Sequence, residues 1–184
     1  MKKILYSLMA IFAAVTLTSC EDFEPGGTAT EKLSGNWMCT IYGVNADGES
    51  EMFAGSEFIT YNTAANDVDK MWIDDDDAFW GVKSKIDCDV NALAFGKEGA
   101  EYEELYYDSM VNVWNGKVTF DGAIAPASGA KCDKIEFYLD IADMDYLNSN
   151  YGTDYDFFYV AGYRRTGFTE DDDEFIEDWT LPTF

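Results

Sequence analysis

Apolar and polar residues alternate along several segments of this chain, and a period of two commits those segments to half-buried strands. Trp80, Val82, Ser84, Ile86 and Cys88 alternate with Gly81, Lys83, Lys85 and Asp87. Ile135, Phe137, Leu139 and Ile141 alternate with Glu136, Tyr138 and Asp140. In both segments the second face is largely charged, so one face suits a core and the other suits water. Trp37, Cys39 and Ile41 keep the same rhythm against Met38, Thr40 and Tyr42. Further strands are expected over 57–63, 70–74, 92–95 and 156–166. Asn115-Gly116 reads as a type I′ hairpin turn, because both residues tolerate positive φ. That register sets Val113 against Val118 and Val111 against Phe120, all on one face. No stretch shows sustained helical periodicity; only 101–107 and 174–179 suggest a turn or two of helix. The pattern predicts an all-β domain, a single antiparallel barrel of about eight to ten strands.

The first residues follow a different rule. Lys2 and Lys3 precede a mostly apolar run that ends in Leu17-Thr18-Ser19-Cys20. This is the layout of a secretory signal, and its end resembles the bacterial lipobox. Residues 1–19 are therefore expected to be a cleaved signal peptide, with Cys20 the lipid attachment site. Glu21, Asp22, Phe23 and Glu24 resemble the acidic export signal of surface lipoproteins in the Bacteroidota. The expectation is a protein lipid-anchored in the outer membrane and exposed at the cell surface. Residues 20–32, with Pro25, Gly26 and Gly27, read as an acidic flexible tether, and 33–184 as the barrel domain.

The composition excludes several functions. The formal net charge is −24, and the leader removes two lysines but no carboxylate. Nucleic acid is a poor partner for such a surface. The chain has no histidine. Ser-His-Asp and Cys-His catalysis lose their imidazole, and zinc loses its commonest ligand. Carboxylate-pair chemistry and calcium binding pass this filter. Asp74–Asp77 and Glu170–Asp178 are acidic runs, but neither has the spacing of a calcium loop, and both read as solvated loops. No metal or cofactor is expected. Ser128-Gly129-Ala130-Lys131 has S-x-x-K spacing in a loop without companion motifs and reads as a chance match. Cys39, Cys88 and Cys132 leave one cysteine over however they pair, and their redox state stays open.

Leu33-Ser34-Gly35-Asn36-Trp37 resembles the G-x-W opening of the calycins, the lipocalin and avidin barrels. The resemblance implies that Trp37 closes one barrel end beneath an arginine of the last strand, Arg164 or Arg165. A wider resemblance rests on Tyr61-Asn62-Thr63-Ala64, Met71-Trp72-Ile73-Asp74-Asp75, Phe79-Trp80, Lys83-Ser84-Lys85 and Gly162-Tyr163-Arg164-Arg165-Thr166-Gly167-Phe168. These segments look like a family of Bacteroides lipoproteins called lipid-binding putative hydrolase, whose fold is lipocalin-like. The missing histidine argues against the hydrolase half of that name, so the chain is expected not to be an enzyme.

The leading functional expectation is a small apolar ligand, lipid or fatty-acid-like, held in the barrel. Its wall would be Trp37, Ile41, Val82, Ile86, Phe95, Val111, Val118, Phe120, Phe137 and Leu139. The same side chains suffice to fill a small barrel, and the sequence leaves both states open. The alternative is a glycan- or protein-binding surface using Tyr102, Tyr106, Tyr107, Tyr146, Tyr151 and Tyr155.

Overall fold

The computed structural model describes residues 27–172 and 174–184. The expected signal peptide, residues 1–19, and Cys20 lie outside the described residues. Nine strands form one antiparallel sheet: β1 (Gly35–Asn45), β2 (Ser50–Asn62), β3 (Lys70–Asp74), β4 (Lys83–Asp89), β5 (Ala94–Phe95), β6 (Tyr102–Glu104), β7 (Ser109–Ile124), β8 (Lys131–Ile141) and β9 (Tyr155–Arg164). Strands follow one another around the sheet, and β9 returns to pair with β1, so the sheet closes in a barrel-like ring. β5 and β6 share one place in it, each bridging β4 and β7. Each of the nine strands is paired on both sides over at least part of its length.

Alternation becomes burial. Trp37, Cys39 and Ile41 on β1, Ser84 and Ile86 on β4, and Ile135, Phe137 and Leu139 on β8 have no accessible surface. Phe137 meets Phe58 and Phe95 across the ring, with centroids 5.3 and 5.8 Å apart. Burying a side chain of this size contributes about 1.5–3 kcal/mol, so this inward set is the main stabilising feature.

The Asn115-Gly116 hairpin is corrected. Both residues lie inside the continuous strand β7, and Val113 and Val118 pair with Leu139 and Ile135 of β8, not with each other. Asn115 does adopt positive φ, at 51°. Gly116 does not, and the positive φ of Asn115 produces a bulge between Trp114 and Lys117 instead of a reversal. The extra residue restores Val118 to the inner face, and bare Gly116 leaves room for the ring of Phe95. A second bulge, between Thr119 and Ala123 with Asp121 at φ 52°, turns Phe120 outward. Phe120 is half exposed, so its place on the inner wall is also corrected.

The two expected helices are absent. Residues 101–107 contain β6 and a turn, and 174–179 is an extended strap. That strap crosses the outer face: the Thr40 hydroxyl donates to Ile176 O, the Tyr42 hydroxyl to Glu177 O, and the Tyr163 hydroxyl to Glu174 O. Phe184 at its end packs on Tyr138, Phe157 and Tyr159. One helix that the periodicity does not announce, α1 (Met144–Tyr151), joins β8 to β9 and buries only Met144 and Leu147. The three cysteines of the domain, Cys39, Cys88 and Cys132, are free thiols.

Candidate functional site

The ring has two unlike ends. One gathers the start of β1 and the end of β9. Trp37 pairs with Arg164, and the guanidinium lies 4.6 Å from the centroid of the indole. Trp37 Nε1 donates to Thr60 Oγ1 at 2.8 Å, and Thr60 Oγ1 donates to Leu33 O at 2.6 Å. Arg164 also donates to Ser34 O and pairs with Asp133 at 3.0 Å. A β-carbon on Gly35 would stand 2.8 Å from the Arg164 guanidinium, so glycine two residues before Trp37 gives the arginine its seat. Arg165, on the opposite face, pairs with Asp172 instead. A single-turn 3-10 helix, Glu31–Leu33, and buried Thr30 seal this end. Thr30, within the stretch read as a tether, thus packs into this end.

The opposite end carries the loops 46–49, 75–82, 105–108 and 142–154. Here the Asp74–Asp77 reading is corrected: the run is a hairpin loop, as β3 and β4 pair, but Asp74 and Asp75 are buried. Asp75 accepts the backbone N–H groups of Asp77, Phe79, Trp80, Gly81 and Val82 at 2.8–3.2 Å. One carboxylate therefore folds the whole loop around itself. Burial pushes the Asp75 carboxyl above its ordinary range, against the pull of these N–H groups. Asp74 is tied by Lys83, Tyr61 and Tyr106.

The loop wound on Asp75 presents Phe79 and Trp80 to the mouth. Phe79 packs edge-on against Phe158 at 5.2 Å and Phe53 at 6.1 Å, which seats it on the core. Tyr107 leans over bare Gly81, where a β-carbon would stand 2.3 Å from its ring, and its hydroxyl donates to Asp77 at 2.8 Å. With Asp143 and Tyr146 from the start of α1, these groups line a groove of about 380 Å³: Asp77, Phe79, Trp80, Tyr107, Asp143 and Tyr146. The loops of this end also carry Asp47, Glu49, Asp76, Asp108, Asp145 and Asp154 and no lysine or arginine. Lys83, at the edge of this end, is engaged by Asp74 at 2.6 Å.

Apart from Phe120, the expected wall residues face into the ring, away from the groove. Trp37, Ile41, Val82, Ile86, Phe137 and Leu139 have no accessible surface, and Phe95, Val111 and Val118 have almost none. They form one packed cluster, with no water-sized space against the inaccessible members. The loop tyrosines divide. Tyr107 and Tyr146 are about two-thirds exposed and line the groove. Tyr102 and Tyr155 are buried, donating to Asp87 and Glu51. Tyr151 packs on Phe53. Alternation finds the packed wall but not the groove, whose residues belong to loops; the only sequence signal for them is aromatics beside Asp and Gly.

Among the described residues no group of His, Cys, Asp and Glu side chains is arranged to hold a metal ion. The Ser128 hydroxyl donates to Asp171 at 2.6 Å, within a knot that includes Thr166 and the N–H groups of Ala127 and Ser128. This partner is an acceptor that fixes the serine in a structural knot.

A family model described as lipid-binding putative hydrolase matches residues 22–169. Among curated proteins none matches the chain.

Proposed function

Because this chain belongs to the lipid-binding putative hydrolase family, we propose that it is a lipid-anchored surface protein that binds an apolar chain at the aromatic mouth and does not turn it over. The observation that carries this reading is the groove of Phe79, Trp80, Tyr107 and Tyr146, seated directly on a packed core. An apolar chain laid there covers exposed rings without displacing a core side chain. Entry into the ring would instead require opening a filled interior, at several kcal/mol. Binding without turnover is supported by the lack of an imidazole to activate a hydroxyl and by the hold of Asp171 on Ser128.

The proposed anchor is acylated Cys20 in the outer membrane. The described chain enters the domain at the Trp37 end, opposite the groove. On this reading the mouth points away from the anchor and takes its ligand from outside the cell.

Calorimetry with neutral monoacylglycerols of increasing length tests the binding. Affinity should rise about three- to fourfold per methylene until the groove is filled. Tyr146→Ala should weaken it about tenfold with the fold intact. A response independent of chain length would refute the lipid reading. Cys20→Ala should move the protein from the membrane fraction to the soluble one, and retention in the membrane would refute the anchor.

A further inference from the structure

We infer that the mouth selects a ligand whose polar head is a quaternary ammonium, a reading that rests on apolar-chain binding in the same groove. Three features of the groove converge on this chemistry. First, it is lined by aromatic side chains from separate elements: Phe79 and Trp80 from the loop after β3, Tyr107 from the turn after β6, and Tyr146 from α1. Aromatic rings approaching from several sides attract a cation through their quadrupoles and need no directed hydrogen bond from it. A trimethylammonium group suits such walls, because its charge is spread over methyl groups that also bury apolar surface.

Second, the carboxylates in the lining, Asp77 and Asp143, are exposed and face the groove with no cation in the lining. Their charge favours a cationic head and disfavours a carboxylate or phosphate monoester there. On this inference a fatty acid is disfavoured, because its head would sit at the mouth among like charges. Third, part of the wall is held in advance. Tyr107 is fixed by Asp77 and Gly81, and the backbone of Phe79 and Trp80 by Asp75. Preorganised walls lose little entropy on binding, so the cation–π attraction appears in the affinity.

The shared chemistry, a trimethylammonium group, occurs both on lipid heads and on free small metabolites. Calorimetry below the micellar range separates them, using decyltrimethylammonium, neutral monodecanoylglycerol, decanoate and tetramethylammonium with the full-length mature protein. Decyltrimethylammonium should bind at least about tenfold more tightly than monodecanoylglycerol, with decanoate weakest. Asp77→Asn with Asp143→Asn should reduce this preference about fivefold or more. Tyr146→Ala, an exposed position, should do the same without affecting folding, and Trp80→Ala gives a second check. Equal affinity for the cationic and neutral chains would overturn the head-group inference while leaving apolar-chain binding in place. Tetramethylammonium binding that gains nothing from a decyl chain would support the cation site and overturn the lipid reading. Unchanged decyltrimethylammonium binding by both Tyr146→Ala and Trp80→Ala would assign the effect to general surface charge and overturn the site.

Discussion

The two ends of the ring contain similar residue types put to opposite uses. At the closed end an indole, Trp37, is wholly buried under its arginine and satisfied by Thr60. At the mouth an indole, Trp80, stands partly open on a loop, with carboxylates and no arginine in its groove. The cation–π pair that seals the first end is completed within the protein. At the mouth the aromatic faces and anions are present, and on our reading the cation comes from the ligand. The difference teaches that an aromatic side chain marks a plug or a site according to whether its partner lies within the chain.

The sharpest way to break this comparison is to remove the indoles one at a time. Trp37→Ala should cost about 3–5 kcal/mol of stability in chemical denaturation, since it empties a filled core position. Trp80→Ala should cost clearly less, and equal losses would erase the distinction between the ends. Next in size is Asp75→Ala, which strands the N–H groups of the mouth loop and should cost about 2–3 kcal/mol while abolishing ligand binding. Arg164→Ala should cost about 1–2 kcal/mol and leave binding at the far end unchanged, as calorimetry on the folded variant would show.

Acid should also act on the ends differently. Burial opposes ionisation of Asp171, but the hydroxyls of Ser128 and Thr166 and the N–H groups of Ser128 and Ala127 outweigh it and hold the carboxyl at about 2. Its folded value lies below the ordinary 3.8, so its contribution is present above about pH 4 and is lost as pH falls toward 2. Asp75 is shifted upward, so protonation on acidification favours the folded form at that position. Asp171→Asn should therefore flatten the stability curve between pH 4 and 2, as denaturation across that range would reveal. The smallest stability effect is expected for Tyr146→Ala, within about 0.5 kcal/mol, although its effect on binding is large.

Much of this was legible from residues alone. A strand's period of two translates directly into inside and outside, so Val82, Ile86, Ile135, Phe137 and Leu139 could be assigned to the core from their spacing. Glycine before Trp37 and an arginine at the end of the last strand marked the closed end, although the sequence did not say which arginine. Pairing with Trp37 selects Arg164, because adjacent residues face opposite ways. Asn115-Gly116 announced positive φ but not its use. A type I′ turn needs positive φ at both residues and this bulge only at Asn115, and only the continued pairing of β7 with β8 beyond residue 116 decides between them.

By itself, then, the sequence determined the strand faces, the ring class, the anionic surface and the lack of imidazole chemistry, because each follows from local order or composition. Tertiary structure decided what closure brings together. It filled the ring, turned Phe120 outward and wound the acidic run at 74–77 around Asp75. It also drew Trp80, Tyr107 and Tyr146 into one groove from two loops and α1, far apart in the chain. Contacts of that kind carry no periodicity, since loop residues meet only where the strands between them set their ends.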